Sequence, residues 1–241
     1  MTHRLKALGC ALVAMLAMSA VGATMASAAE ETKAGLFTAS VGAGETAKGD
    51  AVQIGAGDKY TINGLVMTCG TATGTGQSLT KGPSSTEVTA TATAEGCHVV
   101  VAGLTKLVTV TENGCSSRFN ATTTVTESGF DLTATATLEC PQGKQVEIHV
   151  YSGAASEATT LCTYDVKPQG PLSGITLTNK VNRPAAANDV VADINMNISM
   201  TNTIKSAICG QNEIENASYK GEDTIQSTNE AGVFVDASAS S

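Results

Sequence analysis

Tryptophan is absent from the 241-residue chain, and aromatic residues of every kind make up only 3% of it, four Phe and four Tyr. A core must therefore come from Val, Ala, Leu, Ile and Met, and with hydrophobic residues at 42% there are enough of them. The same scarcity counts against a sugar-binding cleft, because sugar faces are generally gripped on aromatic platforms. Charged residues are only 15%, too few for a disordered polyelectrolyte or a long charge-laced coiled coil. Basic residues are the scarcer sign, 14 against 22 acidic, for a net charge of −8. That balance argues against DNA, RNA and anionic lipid heads as partners. Histidine numbers three, so a Ser- or Cys-based hydrolytic site has few candidate bases and a zinc site few ligands. No segment of ten residues beyond the leader shows a clean 3.6-residue hydrophobic period, which leaves helices unexpected.

One long apolar run exists, at the start. Met1 to Lys6 is a short positive opening, Ala7 to Ala23 is apolar, and Ala26-Ser-Ala28 supplies the small-x-small pattern of a signal peptidase site. Residues 1–28 are read as a signal peptide, cut near Ala28 or Ala29. The run is short for a membrane span, and the polar Glu30-Glu31-Thr32-Lys33 follows at once. Cys10 ends a sequence like a lipid-attachment box, but it opens the apolar run instead of closing it. The product is expected to be exported without stable membrane insertion, to the extracellular space or to a periplasm where the source has one. Losing Arg4 and Lys6 leaves 12 basic residues against 22 acidic, a net charge of about −10.

Six cysteines then remain: Cys69, Cys97, Cys115, Cys140, Cys162 and Cys209. An even number in an exported chain reads as three disulfides. Four of them recur every 46 or 47 residues, each followed by a strand-like stretch, a Gly-bearing turn and a second strand. The turns are read at Lys81–Ser85, Glu127–Gly129, Lys167–Pro171 and Lys220–Asp223, so the unit is a degenerate, hairpin-sized repeat. Between Cys115 and Cys140, pairing residues whose numbers sum to 255 sets Phe119 against Ala136, Ala121 against Ala134 and Val125 against Phe130. Cys115 then faces Cys140. This register favours Cys69–Cys97, Cys115–Cys140 and Cys162–Cys209. The shifted set Cys97–Cys115, Cys140–Cys162 and Cys69–Cys209 respects the repeat equally, and both stay open.

Strand alternation fills the rest. Val88, Ala90, Ala92 and Ala94 alternate with Thr. Leu132, Ala134, Ala136 and Leu138 alternate with Thr. Ala192, Ile194, Met196, Ile198 and Met200 alternate with Asp193, Asn195, Asn197 and Ser199. The expected fold is all-β, an antiparallel β-sandwich or flattened barrel of about ten to thirteen short strands, disulfide-braced. It occupies residues 59–237, with two subdomains meeting near 162–175. A Gly/Ala-rich arm at 29–58 precedes it, with one strand at Leu36–Val41. A final hairpin of Thr224–Ser227 and Val233–Asp236 leads to a disordered tail at 238–241.

Chemistry-bearing groups are sparse. His98 and His149 are read as surface or packing residues. The pairs Glu213 and Glu215, and Glu222 and Asp223, are read as solvated turn acids. Asp189, Asp193, Asn195 and Asn197 have calcium-ligand chemistry, but a straight strand spreads them in a row instead of folding them around an ion. No metal and no cofactor is expected. The sharpest pattern is Thr-x-Thr, drawn from 34 threonines. In the register of the first hairpin Thr73 opposes Thr93 and Thr75 opposes Thr91, a small hydroxyl grid and the candidate binding face. These arrays resemble the threonine ladders of disulfide-braced ice-binding proteins, which implies an ice-binding face as one function. The leading expectation is a non-catalytic structural or binding protein, its partner a cell-surface or extracellular polymer. Carbohydrate binding in a cleft and an enzyme with an unrecognised site are the alternatives.

Overall fold

The computed structural model describes residues 35–39, 44–46, 48–53, 57–78, 84–122, 131–155, 158–179, 190–204, 207–227 and 233–237. The expected signal peptide, the Val125–Phe130 pair, Asp189 and the 238–241 tail lie outside them. Among the described residues there are seventeen strands and no helix. They are β1 (Gly35–Ala39), β2 (Lys48–Gln53), β3 (Lys59–Ile62), β4 (Leu65–Thr68), β5 (Thr71–Ser78), β6 (Ser84–Ser85), β7 (Glu87–Glu95), β8 (His98–Val101) and β9 (Leu104–Thr111). Then come β10 (Ser116–Thr122), β11 (Asp131–Glu139), β12 (Val146–Tyr151), β13 (Thr160–Val166), β14 (Gln169–Asn179), β15 (Val190–Asn202), β16 (Glu213–Ser227) and β17 (Val233–Ala237).

The pairings resolve into one eight-stranded antiparallel barrel, most of whose strands are cut in two. Around one half the circuit is β7–β10–β11–β14–β15–β16–β2–β5 and back to β7. Around the other it is β8–β9–β12–β13–β15–β16–β3–β4 and back to β8, in the same order. β15 and β16 run unbroken through both halves. The other six staves are β2/β3, β5/β4, β7/β8, β10/β9, β11/β12 and β14/β13. Neighbours in the wall are neighbours along the chain, so the topology is an up-and-down meander closed by its last stave against its first. β1, β6 and β17 form a separate three-stranded sheet.

Four expectations are corrected here. Lys167–Pro171 is no hairpin turn, because β13 and β14 both pair antiparallel with β15 and continue one stave. The strands are more numerous than ten to thirteen because each interrupted stave counts twice. Lys220–Asp223 is no turn but the interior of β16. Residues 224–227 pair with β2 and β15, while 233–237 pair with β1, so they form no hairpin together.

Alternation explains which way each stave faces. On β15, Val190, Ala192, Ile194, Ile198 and Met200 are buried, whereas Asp193, Asn195, Asn197 and Ser199 are exposed. The inward residues form two clusters, one for each half. The β2/β5/β7 half holds small or slender side chains, among them Ala121, Leu132, Ala134, Ala136, Ile175 and Ala192. The β3/β4/β8 half holds the bulkier set, including Ile62, Met67, Ile148, Tyr164 and Met200.

Between the halves lies a waist of interruptions. Gly70 faces Gly96, and the Gly70 amide donates to the Glu95 carbonyl at 3.0 Å. Asn113 and Gly114 both take positive φ, 51° and 81°, and turn β9 into β10. Side-chain amides replace lost ladder bonds there: Asn113 donates to Gln145 O at 2.9 Å, and Gln169 both donates to Ser199 O and accepts from Ser199 N, each at 2.8 Å. Such breaks let long staves bend into a closed wall.

The disulfides join Cys69 to Cys97, Cys115 to Cys140 and Cys162 to Cys209, the hairpin-base set and not the shifted one. The first two sit at the waist, at the bases of the β5–β7 and β10–β11 hairpins. The third differs in kind. It pins the connection between β15 and β16 onto β13, where the Tyr164 hydroxyl and the Asn63 amide also donate to Cys209 O, at 3.2 and 3.3 Å.

Closed loops of 25 to 47 residues give about 3.5 to 4 kcal/mol per bridge in the chain-entropy model. Reduction by dithiothreitol is therefore expected to lower the melting temperature by at least about 10 °C, followed by circular dichroism. Unchanged melting would show that the bridges do not brace the fold.

Candidate functional site

The outer Thr grid comes from alternation on β5 and β7. Their register sets Thr73 against Thr93 and Thr75 against Thr91, and all four side chains are exposed. The Thr75 and Thr91 hydroxyls lie 3.1 Å apart, and the Thr91 hydroxyl also reaches Thr75 O at 3.4 Å. A second exposed pair, Thr122 and Thr133 on β10 and β11, repeats this contact at 3.2 Å. Charged chemistry separates the two. Where β10 pairs with β7 it presents Arg118 and Asn120 against Thr89 and Glu87. Arg118 binds Glu139 at 2.9 Å, with Glu87 at 4.0 Å. The grid is thus two strands wide.

A different cluster occupies the waist, where the first stave is interrupted beside β16. Tyr60 and Tyr219 are register partners on β3 and β16, their ring centroids 4.9 Å apart. Asp58, just before β3, is 1% exposed. It accepts the Tyr219 hydroxyl on Oδ2 at 2.8 Å, while Oδ1 has no partner. Its carboxylate lies against Gly221, where any Cβ would collide with it, and this is why a glycine stands inside β16. Asp223 shares the inward parity of Ala217, Tyr219 and Ile225, opposite the buried Ala192.

Burial dominates the electrostatics. It raises the Asp58 carboxyl above the usual range, with the Tyr219 hydrogen bond a smaller opposing effect. Asp223 is pushed up to about 7, first by burial and then by the charge of Asp58. Glu112, in the β9–β10 interruption, is pushed up to about 7 by burial. Tyr60 and Tyr219 are both driven upward, by burial first and then by neighbouring charge, so they stay neutral hydroxyls. Sequence reading placed Asp223 in a solvated turn and passed over Asp58, Tyr60 and Glu112 as site residues. The one available signal was Gly221 inside a strand-length stretch, which marks a close approach as readily as a turn.

The remaining candidates do not converge. His98 is exposed, 3.3 Å from Gly96 O. His149 stands on the outer face of β12, 3.4 Å from Glu147 and 3.5 Å from the Thr163 hydroxyl. Glu213, Glu215 and Glu222 are exposed on β16, and Asp193, Asn195 and Asn197 form an exposed row on β15. Among the described residues no group of three or more His, Cys, Asp or Glu side chains is placed to hold a metal ion.

Gly221→Ala is expected to cost roughly 1 to 3 kcal/mol in urea unfolding, because the buried Asp58 carboxyl and the Tyr219 hydroxyl bonded to it must both shift. A change below about 0.5 kcal/mol, the range of ordinary surface substitutions, would show that Asp58 does not sit against the strand. Compared with known proteins, the chain matches no family model, no curated protein and no solved structure.

Proposed function

We propose that the protein is exported and acts without catalysis, as a disulfide-braced barrel that holds a cell-surface or extracellular polymer on its outer, hydroxyl-bearing face. The observation that carries this reading is the division between inside and outside. An eight-stranded barrel has an interior just wide enough to be filled by side chains or to hold one small ligand. Here inward residues from both halves pack into two buried clusters, which favours the outer wall as the contact surface. That wall presents Thr73, Thr75, Thr91 and Thr93 as a polar, nearly uncharged patch suited to hydroxyl-rich polymers.

Export is supported by three disulfides, which persist in oxidising compartments. A water-facing wall is supported by the exposed Thr, Asn, Asp and Glu of β5, β7, β15 and β16, the reverse of the apolar outer band of a transmembrane barrel. The recurring cysteine spacing fits one hairpin unit used twice, at Cys69–Cys97 and Cys115–Cys140. Ice binding draws on the same threonines, but a grid two strands wide on a curved wall offers few aligned rows.

The test is retention of the mature protein on washed cellulose, chitin and peptidoglycan. Wild type is expected to sediment with at least one polymer. Thr75→Lys/Thr91→Lys is expected to lose roughly tenfold in affinity, about 1.4 kcal/mol, with unchanged melting. Retention on none of them, or retention indifferent to the double substitution, would overturn the proposal.

A further inference from the structure

No disulfide crosses the seam between the first stave (β2/β3) and the last (β16). The bridges join β4/β5 to β7/β8, β9/β10 to β11/β12, and β13 to the connection before β16. The seam is held by the β16–β2 and β16–β3 ladders, the Tyr60–Tyr219 contact, the Asp58–Tyr219 hydrogen bond and the Asn63–Cys209 contact. It is also where the buried Asp58 and the half-buried Asp223 lie.

We infer that this seam is a proton-operated latch: Asp58 and Asp223 keep at least one proton between them while the barrel is closed, and its loss loosens the wall between the first and last staves. Three geometric facts carry the inference. Asp58 is almost wholly buried, with one carboxyl oxygen unpartnered. Asp223, half-buried, stands two residues along β16 from Gly221, against which the Asp58 carboxyl rests. No described cation neutralises them. Lys59 and Lys220 are register partners that both stand exposed, Arg118 binds Glu139, and Lys106 donates to Ser152 O. Lys144 and Lys167 are exposed as well. The groups facing the pair are Tyr60 from β3, Tyr219 from β16 and, through its charge on Tyr60, Glu112 from the β9–β10 interruption. All are neutral or negative, so a second ionised carboxylate has nothing to balance it.

The sign follows from linkage. An unfolded Asp releases its proton near pH 3.9, whereas folded Asp223 holds it to about 7. Between those values the unfolded chain has lost a proton the barrel still binds, so stability falls as pH rises and levels off above the folded value. This pair therefore contributes more stability as pH falls from about 7 toward 4.

The experiment is thermal unfolding of the oxidised, full mature chain from pH 5 to pH 8, monitored by circular dichroism. Wild type is expected to lose roughly 5 to 10 °C over that interval. Asp223→Asn, a neutral mimic of the protonated form, is expected to melt above wild type at pH 8 and to show a clearly flatter profile. Glu112→Gln, which removes the other buried carboxyl, is expected to keep the part of the slope that belongs to the aspartate pair. Wild-type melting that is flat or rises from pH 5 to pH 8 would overturn the latch, as would a slope that survives in Asp223→Asn. A second readout needs no change at the pair: infrared spectra of Glu112→Gln at pH 6 should contain the carbonyl band of a protonated carboxylic acid, lost on raising the pH. Carboxylate bands alone at pH 6 would also overturn the latch.

Discussion

The hydrogen-bonded closure of β16 against β2 and β3 is the contact on which the rest of the molecule depends. Without it the meander is an open sheet with two unpaired edges, and its inward Ala, Val and Ile faces have no opposite wall to pack against. With it, every stave has two neighbours and the interior divides into two packed clusters. This closure joins residues 48–62 to residues 213–227, the longest-range pairing in the barrel, and so carries the largest loop-closure entropy. It is also the closure left without a covalent staple. The chain spends its three disulfides on nearer connections and leaves its most distant one to hydrogen bonds, two tyrosines and a buried acid.

That distribution follows from what the core is made of. With no Trp and few aromatics, large interlocking side chains are scarce, and one half of the barrel is lined mostly by alanine and slender aliphatics. Side chains this small bury little area each, so local bracing has to supply what packing does not. Two of the disulfides sit at the waist, where interrupted staves have lost ladder bonds, and the side-chain amides of Asn113 and Gln169 restore some of those bonds. The third folds the β15–β16 connection onto β13, beside the one tyrosine that is fully buried. Covalent and polar groups thus concentrate where the barrel bends.

Local features were legible in the sequence, and closure was not. Thr/Ala alternation fixes the inward and outward faces of β5, β7, β10 and β11, and a two-strand register follows from it, including Thr73 opposite Thr93 and Phe119 opposite Ala136. The order of staves around a barrel leaves no such trace, because pairing between the first and last depends on chain path and not on neighbouring residues. The interruptions hid it further: a stave broken at Gly70, Gly96 or Asn113-Gly114 reads as two short strands and a turn. The waist cluster was hidden for a related reason. Gly221 between Lys220 and Glu222 has the composition of a turn, and only the Asp58 carboxylate, 163 positions away in the chain, makes glycine necessary inside a strand.

Glu222 and Asp223 show how tightly register governs the chemistry of this wall. They are adjacent acids on one strand, yet Glu222 is exposed opposite Asp193 while Asp223 faces inward opposite Ala192. A slip of β16 by one residue would exchange them, sending Glu222 and Lys220 inward and Asp223 to water. What prevents the slip is the pairing of β15 with β16 from Val190 to Thr201, the most extensive ladder in the barrel, on the side away from the seam. The acid is held in place by one neighbour and lies at the boundary with the other. A charge appearing on Asp223 is therefore expected to act on the β2/β3 side, where bonds are fewer, and to leave β15–β16 intact. The outer Thr grid lies on β5 and β7, beyond β2 from that boundary, so a loosened seam would reach it through the β2–β5 ladder.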